Sequence, residues 1–112
     1  MAKIKTRTYS RYTRQAIDLL GMLVRTGRIE RRMTARELSE RAGISRDLLY
    51  RIEKGDPRVE VGVAFEVAAI VGVSLFEPDP GELKERTRQA AEKLALLPKA
   101  VRKRQVEIKD DF

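Results

Sequence analysis

The side chains best suited to specific chemistry lie close together in residues 45–54, Ser-Arg-Asp-Leu-Leu-Tyr-Arg-Ile-Glu-Lys. Arg46 and Arg51 can each donate a pair of hydrogen bonds to the edge of a guanine, and Asp47 can accept one from the amino group of a cytosine. Leu48 could touch the methyl group of a thymine. This combination of residue types indicates readout of nucleic-acid bases.

A helix over these residues would separate packing from recognition. Leu49 and Ile52 lie three residues apart and point toward a core, so the polar side chains point outward or sideways. The candidates for contact with bases are Arg46, Asp47, Tyr50 and Arg51. The alternative is an ordinary solvated amphipathic helix with an Arg–Asp pair at its N-terminus, but the flanking sequence favours base readout.

The flanking sequence predicts two short helices joined by a tight turn. Thr34 and Glu37 have the spacing of a capping box at the start of the first helix, and Gly43 can end it in a left-handed conformation. Ser45 can cap the second helix, and Gly55 ends it. A short helix with a polar outer face, set across a turn from a supporting helix, is the helix-turn-helix arrangement that fits the DNA major groove.

Positive charge is concentrated in the half of the chain that contains these two helices. The 112 residues include 24 Lys and Arg and 17 Asp and Glu, which gives a net charge of +7. Residues 1–58 hold 15 basic and 7 acidic side chains (+8), and residues 59–112 hold 9 and 10 (−1). A basic half favours a polyanionic partner, most simply nucleic acid. Composition alone also allows a charged surface that only confers solubility.

The chain lacks the residue types on which most catalysis and metal binding depend. It has no histidine and no cysteine, which removes the commonest general base, the thiol nucleophile and the commonest transition-metal ligands. Carboxylate pairs such as Glu37 with Glu40 are better explained by capping and solvation than by acid–base catalysis. The sequence therefore predicts no enzymatic activity, no cofactor and no metal site.

No segment predicts a membrane span or a secretion signal. The longest uncharged apolar run, residues 67–76, has ten residues, which is too short to cross a bilayer. The N-terminus is basic but lacks the apolar stretch of a signal peptide. We therefore expect a cytoplasmic protein with no membrane partner.

Before the two short helices, the sequence predicts a basic arm and one long helix. Residues 1–9 are expected to form a flexible arm, which either follows a DNA groove or is simply a mobile terminus. Apolar residues recur at three- and four-residue steps from about residue 10 to residue 32, as in an amphipathic helix. Gly21 and Gly27 within it indicate places where another helix packs closely.

After the turn at Asp56, the sequence predicts two more helices. Residues 61–71 are apolar on nearly all faces, so we expect a central buried helix that ends at Gly72. Alternation at the start of this segment could also suggest a strand, but its alanines favour a helix. Ser74 and Glu77 have the spacing of another capping box, which predicts a short fifth helix.

The C-terminal part of the chain predicts one further helix and a tail. Asp79 as N-cap and Pro80 as first residue begin a helix over about 80–97. Its apolar residues form a seam of two heptads, namely Leu83, Thr87, Ala90, Leu94 and Leu97. The seam either folds back on its own domain or meets a partner helix. The tail is expected to be disordered, with Phe112 as an anchor for a partner.

The two short helices and their flanks resemble a known family. The resemblance rests on Arg28, Thr34, Glu37-Leu38, Ala42-Gly43-Ile44-Ser45, Leu49, Ile52-Glu53, Gly55 and Leu75, and it covers about residues 14–77. These residues are similar to the Cro/CI (Xre-type) helix-turn-helix domain of the lambda-repressor-like fold. The resemblance implies an all-α, five-helix domain that binds double-stranded DNA as a homodimer, with its third helix in the major groove. It also implies an ion pair between Arg28 and Glu53.

Contacts with the phosphate backbone must depart from the usual pattern of this family. Its members commonly have a phosphate-binding glutamine directly after the first capping residue, whereas this chain has Ala35. We assign the phosphate contacts to polar and basic residues around the two short helices, namely Thr34, Arg36, Ser45, Lys54 and Arg58. At Thr34, the backbone N–H groups of the turn are the expected donors.

These predictions divide the chain into a basic arm (1–9), a helix-turn-helix domain (10–77) and a C-terminal helix with its tail (78–112). The extensions, with Leu96-Leu97-Pro98-Lys99 and Asp110-Asp111-Phe112, resemble the HipB-type antitoxins that accompany HipA-like kinase toxins. This resemblance implies a repressor of its own operon that also binds the toxin through surfaces including the C-terminal extension. We expect the homodimer to recognise a pseudo-palindromic operator with half-sites about one helical turn apart, and the protein to be associated with the nucleoid. The alternative is a protein-interaction module that neutralises a partner protein, with DNA binding secondary.

Overall fold

The computed structural model describes residues 7–76 and 78–103 of the chain. These residues form five α-helices and no strand: α1 (Arg11–Glu30), α2 (Ala35–Ala42), α3 (Arg46–Glu53), α4 (Val61–Ile70) and α5 (Pro80–Leu96). The predicted all-α fold is confirmed. The chain divides into two compact units at the peptide bond between Leu75 and Phe76, with α1 to α4 in the first unit and α5 in the second.

The predictions for the basic arm and for the tail concern residues that lie largely outside the described ranges. Lys3 and Lys5 of the basic arm precede the first described residue, and Asp110, Asp111 and Phe112 of the tail follow the last one. Within the described ranges, none of the helices has the length and apolar character needed to cross a membrane.

Helix α1 begins at Arg11, close to its predicted start, and ends two residues earlier than expected. The hydroxyl of Ser10 accepts a hydrogen bond from the backbone N–H of Thr13 at 3.2 Å. At the other end, Arg32 takes a left-handed conformation with φ 54°. This turn lets the N–H of Met33 donate to the carbonyl of Arg28 at 3.0 Å, which closes the helix and directs the chain into α2.

The caps predicted for α2 and α3 are present. The hydroxyl of Thr34 accepts from the N–H of Glu37 at 3.0 Å, and the carboxylate of Glu37 accepts from the N–H of Thr34 at 2.8 Å. Gly43 ends α2 with φ 70°. Ser45 accepts a backbone N–H in the first turn of α3, and Gly55 follows α3 with φ 81°. Local sequence therefore sets the limits of both helices.

The core of the first unit lies between its four helices. Its buried apolar residues are Val24, Met33, Leu38, Leu49, Ile52, Val67, Ala68 and Val71. Both α1 and α2 contact α3 and α4. A Cβ on Gly21 would lie 2.6 Å from the carbonyl oxygens of Ile52 and Glu53, and a Cβ on Gly27 would lie 2.7 Å from that of Val71. The predicted close packing at both glycines is confirmed.

Helix α4 begins where the sequence predicts but is not buried on all sides. Val67 and Ala68 are fully buried, whereas Val61 is 70% exposed and Phe65 is 40% exposed. The prediction of a central buried helix is therefore wrong. Helices α1 and α2 contact α4, and the exposed fractions of Val61 and Phe65 show that packing does not cover the whole helix.

The short helix predicted from Ser74 is not formed by the described residues there, because Ser74 and the two residues after it lie outside any helix. Pro78 has no backbone N–H to donate to the carbonyl of Ser74, so the first hydrogen bond of that helix is lost. Helix α5 begins instead at Pro80, and the carboxylate of its N-cap Asp79 accepts from the N–H of Glu82 at 3.2 Å. The predicted start of α5 is confirmed.

Candidate nucleic-acid interface

The outer face of α3 presents three of the four predicted base-contacting side chains. Leu49 and Ile52 are 1% and 4% exposed, so they hold the opposite side of the helix in the core. Arg46 and Asp47 are exposed in the first turn, and Tyr50 is exposed one turn later. A guanidinium, a carboxylate and a phenol on one surface can together hydrogen-bond to base edges. Their contacts with DNA stay predictions.

Leu48 does not lie on this outer face. Its side chain is half-buried and packs against the core, on the same side of α3 as Ile52 one turn later. The suggested contact between Leu48 and a thymine methyl group stays a prediction, and only the part of the side chain that the core leaves exposed could make it.

The two ends of α3 carry predicted phosphate contacts. Ser45 is the N-cap, and its oxygen accepts the N–H of Leu48 at 3.0 Å, while its own hydroxyl proton can still be donated. Lys54 is the C-cap, and its Nζ lies 5.5 Å from the centroid of the Tyr50 ring. At this distance the ammonium group is attracted by the face of the ring. Tyr50 and Lys54 therefore form a continuous surface at the C-terminal end of α3.

An ion pair holds the C-terminal end of α3 against α1. Nε and Nη2 of Arg28 donate to the two carboxylate oxygens of Glu53 at 2.8 and 3.1 Å, and Nη1 donates to the carbonyl of Met33 at 3.1 Å. The two side chains are only 13% and 8% exposed. The hydrogen bonds to Glu53 raise the pKa of Arg28. The pair implied by the family resemblance is thus present, and it helps to orient α3.

Asp56, for which the sequence predicts only a turn, lies three residues after the end of α3. The carboxylate of Asp56 is 11% exposed and accepts from Nε of Arg51 at 2.7 Å. It also accepts from the backbone N–H of Arg58 at 2.9 Å and from its Nε at 3.1 Å. Hydrogen bonds from Arg58, and then from Arg51, hold the pKa of Asp56 well below its usual range. Two arginines predicted to contact DNA therefore share one carboxylate.

The sequence contained a weak signal for this arrangement. An Asp that accepts the backbone N–H two residues later is common in turns, and Asp56 stands two residues before Arg58. Nothing in the spacing of Arg51 and Asp56 indicates that their side chains meet, because they come together only where the chain leaves α3.

The two residues at α2 that are predicted to contact phosphates, Thr34 and Arg36, already have hydrogen-bond partners within the chain. The N–H of Thr34 donates to Glu37, so the hydroxyl proton of Thr34 is the donor that a phosphate could take. Arg36 pairs with Glu40 at 3.3 Å, and both side chains are largely exposed. An exposed pair of this kind contributes roughly 0–1 kcal/mol, so a phosphate could replace Glu40 as the partner of Arg36.

Among the described residues, no group of three or more His, Cys, Asp or Glu side chains could hold a metal ion. The side chains of this surface offer hydrogen bonding and electrostatic attraction. The acceptors that match them are base edges and phosphate oxygens.

Comparison with known proteins identifies the domain that carries this surface. Residues 24–77 match the model of the family described as helix-turn-helix, whose members are DNA-binding regulatory domains. No curated protein and no solved structure matches the chain. The matched residues include α2, the turn, α3 and α4. The chain is therefore a DNA-binding transcriptional regulator with a helix-turn-helix domain of the Cro/CI (Xre) type and the all-α lambda-repressor-like fold.

Proposed function

We propose that the chain binds a pseudo-palindromic operator as a homodimer and represses its own transcription. The observation that carries this proposal is the exposed face of α3, where Arg46, Asp47 and Tyr50 lie opposite the buried Leu49 and Ile52. One copy of α3 can read only a few base pairs. Two copies related by a two-fold axis would read half-sites about one helical turn apart, as helix-turn-helix dimers do.

Electrostatic attraction supports the same proposal. Residues 1–58 carry a net charge of +8, and they include all the residues assigned to bases and phosphates. Lys and Arg side chains that neutralise phosphates release condensed counterions, so binding should weaken steeply as salt is added. We place the protein at the nucleoid for this reason.

A mobility-shift titration on the DNA upstream of the chain's own gene tests the proposal. We expect one retarded species that binds more tightly than a scrambled duplex of equal length, and a footprint with two similar half-sites. Equal affinity for the two duplexes would overturn sequence-specific repression. A footprint of a single half-site would overturn the homodimer.

We propose in addition that the C-terminal extension binds a HipA-like kinase toxin, which makes the chain an antitoxin. The support is the apolar seam of α5, because Leu94 is 69% exposed and Leu97 is 49% exposed. Leu94 lies in the last turn of α5 and Leu97 is its C-cap, and exposed leucines at one end of a helix suit docking against a partner. In the competing view the chain acts chiefly through such a partner, with DNA binding secondary.

The product of the neighbouring gene provides the test of this role. We expect it to be a kinase-like protein that forms a stable complex with the full chain in calorimetric titration. No binding to that product would overturn the antitoxin role and leave repression standing. A complex without any affinity of the chain for DNA would favour the competing view.

A further inference from the structure

Asp56 makes more contacts than a turn requires. Both carboxylate oxygens are used, since Oδ2 accepts from Arg51 and Oδ1 accepts from the backbone and Nε of Arg58. A further bond at 3.3 Å joins Nη2 of Arg58 to Oδ2. One carboxylate, 11% exposed and three residues beyond the end of α3, therefore binds two guanidinium groups.

The arginines differ in how much of each remains accessible. The Arg51 side chain is 39% exposed, and that of Arg58 is 78% exposed. The bond from Arg51 uses one of its five N–H donors, so the same guanidinium can still donate to another acceptor. A long side chain that is already ordered loses less conformational entropy when it binds a ligand.

We propose that Asp56 is a positioning residue for DNA binding, which orders Arg51 and Arg58 in the conformations in which they contact DNA. This inference rests on the proposed function, because it concerns the same surface. The guanidinium of Arg58 binds Asp56 through Nε and Nη2, so its Nη1 can donate to a phosphate while the side chain keeps this conformation. The negative charge of Asp56 is paired with both guanidinium groups, which weakens its repulsion of an approaching phosphate.

The opposite effect is the physical alternative. A carboxylate that neutralises two arginines competes with phosphates for them, and its removal would then strengthen binding. Charge alone favours that result, since loss of one acidic group raises the net charge of the chain by one. The two effects therefore differ in the sign of the change in affinity.

Asp56→Asn is the direct test, because it keeps the shape of the side chain and removes its charge. Glu66→Gln is the matched control, since it makes the same change of net charge on the exposed face of α4. We expect Asp56→Asn to lower operator affinity about tenfold relative to Glu66→Gln, as the ordering of two side chains is lost. Affinity equal to or above that of the control would overturn the proposal.

A double-mutant cycle separates positioning from general structural support. If Asp56 acts through the arginines, the loss of operator binding free energy caused by Asp56→Asn should be at least halved when Arg51 is replaced by Gln. Fully additive effects would overturn a role through Arg51. The cycle uses operator affinity, with circular dichroism to verify that each variant is folded.

Arg51→Lys keeps the test decisive if Asp56→Asn does not fold. This variant retains the positive charge and removes the planar Nε–H that bonds Asp56. We expect a loss of operator affinity similar in size to that of Asp56→Asn, and wild-type affinity would overturn the proposal. A wild-type chain that binds no DNA would overturn the proposed function itself. Wild-type binding with no effect of these variants would overturn only the role of Asp56.

Discussion

Arg46 and Lys54 lie at opposite ends of α3 and should contribute to DNA binding in different ways. Arg46 is exposed in the first turn of α3, the part of a recognition helix that enters the major groove. Its planar guanidinium can make two parallel bonds to a guanine. Lys54 follows the last turn and carries a flexible point charge, which suits a phosphate better than a base edge.

Arg46→Ala should therefore cost about 1–3 kcal/mol of operator binding and relax the sequence preference at one base pair. Lys54→Ala should weaken binding to all duplexes alike and reduce the slope of affinity against salt by about one. Fluorescence anisotropy on single-base operator variants at several salt concentrations measures both effects. If Arg46→Ala weakens binding to all duplexes equally, Arg46 contacts a phosphate and not a base. If Lys54→Ala leaves the slope of affinity against salt unchanged, Lys54 does not contact a phosphate.

Asp56 should also make the stability of the fold sensitive to acid. Its pKa in the folded chain lies below the ordinary value of an aspartate, about 3.9, so its stabilising contribution is present above that pH. The contribution is lost progressively as the pH falls further, because protonation removes the charge that both arginines bind. Asp56→Asn should therefore be less stable than wild type near neutral pH and lose less stability below about pH 4.

Chemical denaturation of both proteins between about pH 2 and pH 6 measures this difference. Glu66→Gln is again the control, since it removes an exposed carboxylate from a different helix. If the free energies of unfolding of wild type and Asp56→Asn depend on pH in the same way, the prediction is contradicted.

At the scale of elements, the position of α3 depends on how closely α1 approaches it. Gly21 lies against the carbonyl oxygens of Ile52 and Glu53, in the same region where Arg28 binds the carboxylate of Glu53. A close backbone contact and an ion pair thus act at one end of the recognition helix. A shift of this end would move Tyr50 and Lys54 on the outer face.

Gly21→Ala tests this contact. The added methyl group would lie 2.6 Å from two backbone oxygens that cannot easily move. We expect a loss of roughly 1–3 kcal/mol in the free energy of unfolding, as for other overpacked sites. Gly62→Ala in α4 is the matched control, since no atom lies within 4 Å of its Cβ position.

The control should be neutral or gain up to about 1 kcal/mol from the helix preference of alanine. Thermal unfolding followed by circular dichroism measures both variants. If Gly21→Ala is as stable as Gly62→Ala, the two helices do not meet as closely as the structure indicates.

At the scale of the whole molecule, the two units differ in charge and in surface. The first unit, residues 1–75, holds 15 basic and 9 acidic side chains (+6), whereas the second, residues 76–112, holds 9 and 8 (+1). Helix α5 has no buried residue and bears the exposed leucine seam. This division suggests that DNA binding and partner binding use different units.

Deletion of residues 79–112 should leave operator binding intact and abolish binding of the toxin partner. The basis is that the buried core of the first unit ends at Val71. Light scattering and a mobility shift on the truncated chain measure its oligomeric state and affinity. Loss of dimerisation would contradict the prediction and make the extension structural.

The double variant Leu94→Asp with Leu97→Asp is a control that keeps the chain at full length. It disrupts the seam by placing charges where leucines would contact a partner. It should lose partner binding and keep operator affinity.

Features that depend on residues close in the sequence were predicted well. The capping box of Thr34 with Glu37, the left-handed Gly43 and the cap of α5 at Asp79 each involve residues within one helical turn. Their geometry follows from local hydrogen bonding, so one sequence is enough to predict them. The wrong prediction at Ser74 also has a local cause, because Pro78 lacks the N–H that the first turn of that helix needs.

The sequence by itself determined the helix-turn-helix arrangement, the buried Leu49 and Ile52, and the glycines at which α1 packs closely. Only the tertiary structure decided that packing leaves part of α4 exposed, that Leu48 is half-buried against the core, and that Asp56 joins Arg51 to Arg58. The physical reason is that capping and periodicity act within one helix. Burial and shared ion pairs depend instead on which helices pack together and on where the chain turns between them.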